Sequence, residues 1–462
     1  MNVEFTKNQI DIVKYDEPEM LIRGVAGSGK TLCLIANAAI KSAKNPSIYF
    51  FTFNKTLEKN IKDNFTMLNN ENVHVSSFHK WAKTELKRIY PYVNTLGDNW
   101  KQKKTKLNLL EKAVKQASEY YSGRFITNED YREFLLDEFK YMNSQYIKEE
   151  NEYINLSRRG RGNEIRPSKA ERQEIFEIFS FYQFEKSKSY YFEFTDYAPR
   201  LLDKYEEVVA NNEMRHIYVD EAQDLDKAQL LLLSKLAQET FYVATDKGQN
   251  IYNTSYSWRD IGINIQGGRT KVLRTSFRTT EQILRLARGL HEKDDVSEEE
   301  DYTEAQLKGM KQGPKPKVIR YEKSNYKNVF IREVKEALLN NEVVGVLINS
   351  WRQGNKLADY LSETGIDAEI IRDDDGSSVT EGVKITTMFS SKGLEFDHVI
   401  IPNFSLEKNL NENDEDELNR RRRLYYVSFT RARNRLSIIT PKDSPSRFFP
   451  ELDEKLYVLH DS

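Results

Sequence analysis

The densest chemistry in the sequence is at Gly24-Val-Ala-Gly27-Ser28-Gly29-Lys30-Thr31. Glycines at this spacing let successive backbone N–H groups turn toward one point. A helix N-terminus behind them adds positive potential there. The segment therefore suits phosphate. Lys30 is placed to reach the β- and γ-phosphates of a nucleotide, and Thr31 to hold Mg²⁺. The flanks support this: Met20 to Val25 reads as a short apolar strand, and LCLIANAAIKSA after Thr31 reads as a helix.

A second constellation follows near the middle. His216 to Val219 is a short β-prone run that ends in Asp220-Glu221-Ala-Gln-Asp224. Carboxylates at the C-terminal ends of strands sit where doubly wound sheets bind ligands. Asp220 suits a second anchor for Mg²⁺. Glu221 suits a base that orients and deprotonates an attacking water. A charged loop after a buried strand is the plainer reading of the same residues.

These two strings, with others in the same order, resemble the UvrD/Rep-like branch of superfamily 1 helicases. Phe5-Thr6 with Gln9 resembles the motif that reads adenine. Tyr49 to Lys55, Ser76 to His79, Ala244 to Tyr252, Leu273 to Thr280, Ile385 to Phe396 and Arg422 to Arg433 resemble six further motifs, so the likeness covers nearly the whole chain. It implies two RecA-like α/β lobes with ATP between them. Gln249 is then a γ-phosphate sensor, and Arg278 and Arg431 are arginine fingers from the second lobe. A phosphoryl group in transfer spreads negative charge that guanidinium groups stabilise. Phe277 stands where the family stacks a tyrosine on adenine, and Glu395 is expected near the ribose. Phe53, Tyr252 and Trp258 are the expected platforms for bases of a single strand, with Asn54 and His79 as backbone contacts. For Phe53 and Tyr252 core packing competes with that role. Trp258 lies in the polar string TSYSWRD, which favours contact over core.

The elements that must hold these groups follow from the motif order. The first lobe is expected from residues 1–80 and 196–272. A mainly helical subdomain is expected over 81–195, where Phe134, Leu135 and Phe139, then Ile175, Phe176, Ile178 and Phe179, recur at helical spacing. The second lobe is expected over 273–462, with strands at Val343 to Ile348 and Val399 to Ile401. Only 102 residues separate Thr280 from Val383. That leaves room for a short acidic linker around 291–316, where larger family members carry an inserted subdomain. Thr245 and Phe389 also depart from the family pattern, in place of a glycine and a histidine.

Composition bounds the rest. Seventy Lys and Arg against 72 Asp and Glu give a net charge of −2, so nucleic acid must be held by local patches. Residues 157–172, SRRGRGNEIRPSKAER, form one such patch, readable either as a phosphate contact or as a solvated loop. A single cysteine, Cys33, excludes an intrachain disulfide framework. The apolar stretches fall far short of the ~20 residues that span a bilayer. A soluble protein of a reducing cytoplasm, with no membrane partner, is the simplest expectation.

Three functions compete. The first is an ATP-driven 3′→5′ translocase or helicase on single-stranded DNA or tailed duplex; the polarity is implied only by the resemblance, and RNA remains open. The second is a DNA-stimulated ATPase subunit that regulates a partner nuclease, an idea prompted by the compact second lobe. The third is a degenerate nucleotide-binding scaffold, against which the intact motifs speak.

Overall fold

A computed structural model describes residues 4–44, 47–53, 55–70, 72–97, 99–156, 165–250, 256–294, 302–340, 342–372, 381–407, 410–411 and 414–462. In chain order the strands are β1 (Glu19–Gly24), β2 (Ile48–Thr52), β3 (Val73–Ser77), β4 (Asn94–Leu96), β5 (Tyr191–Glu193), β6 (His216–Val219), β7 (Thr240–Thr245) and β8 (Thr270–Leu273). They continue as β9 (Lys317–Tyr321), β10 (Val344–Ile348), β11 (Ala368–Ile370), β12 (Val383–Thr387), β13 (Phe396–Ile401), β14 (Ala432–Pro441) and β15 (Val458–Asp461).

Two large parallel sheets result, and β4 pairs with β5 as a separate two-stranded parallel sheet. The first has the order β3-β2-β6-β7-β1-β8 and the second β11-β12-β10-β13-β14-β9-β15. Parallel strands need long crossovers and are covered on both faces, so their sequences are continuous apolar runs. HIYV, TFYVAT and VGVLI are buried at every position. The protein is thus α/β, with two RecA-like sheets and helices on their faces.

Strand order decides where chemistry can gather. The C-terminal ends of β6, β7, β1 and β8 lie side by side at one edge of the first sheet, and Asp220, Asp246 and Val25 follow three of them directly. From the second sheet, Glu395 and Arg431 immediately precede β13 and β14. The Phe396 N–H donates to the Arg431 carbonyl at 3.0 Å, which fixes the two starts together.

Residues 81–195 are mostly helical. The helices Trp100–Ala117, Arg132–Ser144 and Lys169–Lys188 enclose a core of Leu109, Leu110, Leu135, Phe139, Ile175, Ile178 and Tyr182. Ser168 and Glu171 form a capping box that starts the longest of them. Within this layer Lys186 is fully buried and donates to Glu193 at 3.1 Å and Asp196 at 2.7 Å. Lys106 meets the same Glu193 at 3.0 Å, so two buried cations face two buried carboxylates, and the cluster holds only while those charges stay matched.

The stretch around 291–316 is partly built into the core. His291 is the last residue of the helix Glu281–His291, and Ala305 and Met310 are buried against the second sheet. The Gln306 N–H donates to the Arg274 carbonyl at 2.8 Å, and the Glu281 N–H to the Lys311 carbonyl at 2.9 Å. Most of the acidic residues of this stretch, Glu298 to Asp301 among them, lie outside the described residues, as do Arg158, Arg159 and Arg161 of the basic patch. Among the described residues no helix is long and apolar enough to cross a membrane.

Candidate nucleotide-binding site

Gly27, Ser28, Gly29, Lys30 and Thr31 line a cleft of about 340 Å³ together with Glu221, Gln249, Phe277, Arg278 and Glu395. The loop depends on its glycines. Gly27 and Gly29 have φ of +71° and +84°, a region that side chains disfavour. A Cβ on Gly27 would come within 2.3 Å of the Arg278 Cβ, and one on Gly24 within 2.6 Å of the Ser28 Oγ. The second half of the molecule therefore rests directly on the loop, and the Phe277 N–H donates to the Gly27 carbonyl at 2.9 Å.

Lys30 starts the helix Lys30–Ser42 and is 6% exposed. Its Nζ donates to the carbonyls of Gly24 at 2.8 Å and Val25 at 3.1 Å, and lies 3.7 Å from Asp246 Oδ2. Gln9 is held by the capping box it forms with Thr6, and its amide donates to the Ser28 carbonyl at 3.1 Å. A side chain on Gly29 would strike that amide.

The carboxylates sit opposite. The Thr31 hydroxyl donates to Asp220 Oδ2 at 2.6 Å. Asp220 Oδ1 and Ser28 Oγ are buried without a hydrogen-bond partner. Orphaned oxygens beside Thr31 fit a divalent cation with its nucleotide, so these residues suit Mg²⁺ held by Thr31 and Asp220. Burial and the charge of Glu221 push the Asp220 carboxyl up to about 6. Burial works to raise Glu221 as well, but Lys392, Lys30 and Arg431 outweigh it and hold this carboxyl below its usual range. Glu221 is left-handed at φ 53° and accepts a hydrogen bond from the Gln223 amide. Ionised at neutral pH, it can accept a proton.

The half of the chain that follows the first sheet supplies cations. Arg431 is 1% exposed, and its Nη2 donates to Gln249 Oε1 at 2.6 Å. Burial and the nearby Arg278 lower its pKa to about 9, so the guanidinium is charged at pH 7. Arg278 Nε donates to Glu395 Oε1 at 2.6 Å, and Arg433 Nε to Glu395 Oε2 at 3.1 Å. Against the opposing effect of burial, these arginines hold the Glu395 carboxyl down at about 2. Phe277 is 56% exposed at the cleft mouth, an apolar face open for a planar ring.

Two partners escaped sequence reasoning. Lys392 is buried and donates to Asp224 Oδ1 at 2.7 Å and to the Gln249 carbonyl at 2.9 Å, tying the second sheet to both acidic loops of the first. Asp246 accepts from the Gln249 amide and faces Lys30. Both residues lie inside the motif strings, and a lysine flanked by serine and glycine was the available signal for the first.

The residues expected on a single-strand track are less uniform. Asn54 and Tyr252 lie outside the described residues. Phe53 is half-buried against the core of the first sheet. His79 packs edge-on against Phe194 at 5.7 Å, and burial lowers its pKa to about 4. It is neutral at pH 7 and offers a hydrogen bond rather than a charge. For Trp258 the structure overturns the expectation of an exposed platform. Its ring is 2% exposed, in the core with Ile261 and Ile263, and it meets Tyr256 at 5.5 Å in an edge contact. The polar neighbours misled because the segment turns as a short 3₁₀ helix, Trp258–Ile261, capped by Ser257, which sends one large ring inward. Trp258→Ala is accordingly expected to cost about 3–5 kcal/mol of stability, while Trp258→Phe retains most of it. Thermal melting of both variants checks this.

Fold and cleft together define a P-loop protein in which two RecA-like sheets face one nucleotide-sized site. A family model described as the UvrD/REP helicase N-terminal domain matches residues 5–265. The chain belongs to that family. A probable DNA helicase II homolog of Rickettsia felis is 27% identical over 143 residues, which cover 27% of this chain and 21% of that protein. The ATP-dependent DNA helicase PcrA of Staphylococcus aureus is 30% identical over 131 residues, covering 25% of this chain and 17% of PcrA. The match thus spans about a fifth of the length of these relatives. The C-terminal domain of a possible DNA helicase from Lactobacillus plantarum WCFS1 aligns with 22% identity and a TM-score of 0.30, covering 40% of this chain and 98% of that domain.

Proposed function

We propose that this protein is an ATP-driven motor on single-stranded DNA, a translocase or helicase that moves 3′→5′ in the cytoplasm. One observation carries the reading: Arg431, at the start of a second-sheet strand, and Arg278, on the segment that leads from the first sheet to the second, meet Lys30, Glu221 and Gln249 of the first around a single cleft. In this reading the first lobe comprises 1–80 and 196–272, the helical subdomain 81–195 and the second lobe 273–462.

ATP enters with its base beside Phe277 and Gln9 and its phosphates on the loop from Gly24 to Thr31. Lys30 exchanges its carbonyl partners for phosphate oxygens. Thr31 and Asp220 would hold Mg²⁺, which when bound would neutralise phosphate charge. Glu221 orients the attacking water and takes its proton, while Arg278 and Arg431 stabilise charge developing on the γ-phosphoryl. Arg431 already grips Gln249, so loss of the γ-phosphate is felt in the loop that leads toward Tyr252. Closing and reopening of the lobes alternates the grip on the strand, through Phe53, Asn54, His79 and Tyr252.

The test compares phosphate release from ATP in the presence of single-stranded DNA, duplex with a 3′ tail, duplex with a 5′ tail, and RNA. Strong stimulation by single-stranded DNA and by the 3′-tailed duplex is expected. A folded protein that binds ATP yet responds to none of the four is no nucleic-acid motor.

A further inference from the structure

Arg278 and Arg431 are attached to two packed helices. Arg278 lies three residues before the helix Glu281–His291, and Arg431 lies two residues after the helix Glu415–Phe429. Two contacts bolt these helices together. The His291 ring stacks on Tyr426 with centroids 3.7 Å apart and planes 24° apart. Arg423 donates twice to Asp294, at 2.7 and 2.8 Å, with both side chains buried. The two arginines therefore belong to one rigid unit.

His291 also reaches across to the first sheet. Its Nε2 lies 3.0 Å from the Gly248 carbonyl, next to Gln249. A carbonyl only accepts, so Nε2 carries the proton, and Nδ1 accepts from the Tyr302 hydroxyl at 3.2 Å. The ring is 2% exposed, and burial with the nearby charge of Arg423 lowers its pKa to about 3, which keeps this neutral arrangement across the working range. The fit is close: a Cβ on Gly248 would come within 2.7 Å of the His291 Cε1.

The short loop Lys247–Gln249 is thus gripped by three donors from the second half. His291 holds the Gly248 carbonyl, Lys392 the Gln249 carbonyl and Arg431 the Gln249 side chain. Of the three, His291 sits at the far end of the helix that follows Arg278, whereas Lys392 and Arg431 lie close enough to Glu221 to lower its pKa. We propose that His291 is a positioning residue that ties the Gln249 loop to the arginine-bearing helix pair, so that loop and arginines respond to bound nucleotide as one body. This rests on the ATP-driven reading above. Movement of Arg278 toward phosphate is carried along its helix to His291, and from there to Gly248. Without the N–H of His291, the Gly248 carbonyl is left buried and unpaired, and the loop loses its register.

Five variants test this in the full chain: His291→Phe, which keeps the stack and loses the N–H; His291→Gln, which keeps a donor; His291→Ala; Gly248→Ala; and Gly248→Ala combined with His291→Ala. His291→Phe is expected to lower the kcat of DNA-stimulated ATP hydrolysis about tenfold. KM for ATP should stay within about twofold, with melting little changed. His291→Gln should recover most of the loss. Gly248→Ala should lower kcat in the natural background and add nothing to His291→Ala, where its methyl group finds space. A readout that needs no turnover accompanies these: hydrogen exchange at Gly248 to Asn250 with a non-hydrolysable ATP analogue should be slowed in the natural protein and much less so in His291→Phe. Natural kcat and natural protection in His291→Phe would overturn the proposal. So would a His291→Gln no better than His291→Phe, or fully additive losses in the double variant. Should the His291 variants fail to fold, Gly248→Ala decides alone: kcat lost at constant KM supports the coupling, and natural kcat rejects it. If the natural protein hydrolyses no ATP, the motor reading fails, while the exchange experiment still decides the role of His291.

Discussion

Lys30→Ala is expected to lower ATP turnover by about 10³-fold or more, a loss of the size seen when a preorganised charge is removed from a phosphoryl-transfer site. The geometry says why the effect is large. The Lys30 ammonium is buried and already aimed at the loop interior by the carbonyls of Gly24 and Val25. It spends little on reorganisation when phosphate oxygens arrive. Its loss also leaves Asp246, 3.7 Å away and buried, without its nearest cation. Nucleotide affinity should fall together with turnover, because Lys30 contacts phosphate before and during transfer. Lys30→Met, which keeps the apolar stem, separates the charge from the packing. Phosphate release and the binding of a fluorescent ATP analogue provide the measurements. Natural turnover in either variant would show that the cleft is not where ATP reacts.

Glu221→Gln should be as damaging to turnover, again about 10³-fold, but should leave binding intact. Glutamine matches the shape of glutamate and can still accept from the Gln223 amide, yet it cannot take a proton from water. One secondary effect works in favour of affinity. The charge of Glu221 is, after burial, the main influence that raises the Asp220 carboxyl to about 6. Neutralising Glu221 lets Asp220 ionise more readily, so Mg²⁺ and nucleotide should bind at least as tightly. The expected signature is a trapped, ATP-filled protein. An equal loss of affinity and turnover would instead assign Glu221 to nucleotide binding.

What the sequence showed and what it hid divide along a physical line. The loop from Gly24 to Thr31 and the string from Asp220 to Asp224 were readable because their chemistry is local: spacing along the chain is spacing in the site. The meeting of Arg278 and Arg431 with the first sheet followed only from the family likeness, since no local pattern brings residues 278 and 431 to Lys30. Trp258 was misread because burial depends on how a turn faces a distant core, here one built by Phe241, Val243 and Leu233. Lys392, Asp246 and His291 were invisible as partners for the same reason. Each becomes significant only once two sheets are docked, and no periodicity announces it. Glu395 illustrates a milder miss: its motif was seen, but its two arginine partners were not.

That last pairing bears on how such a device would reset. The Arg278 guanidinium lies against the Glu395 carboxylate, a resident anion of the cleft. In the proposed motor an arriving triphosphate would gain only the difference between two anions, and a departing phosphate would hand the guanidinium back to Glu395. Near-balanced exchange of this kind keeps either half-step from becoming a thermodynamic sink, which is what repeated firing requires.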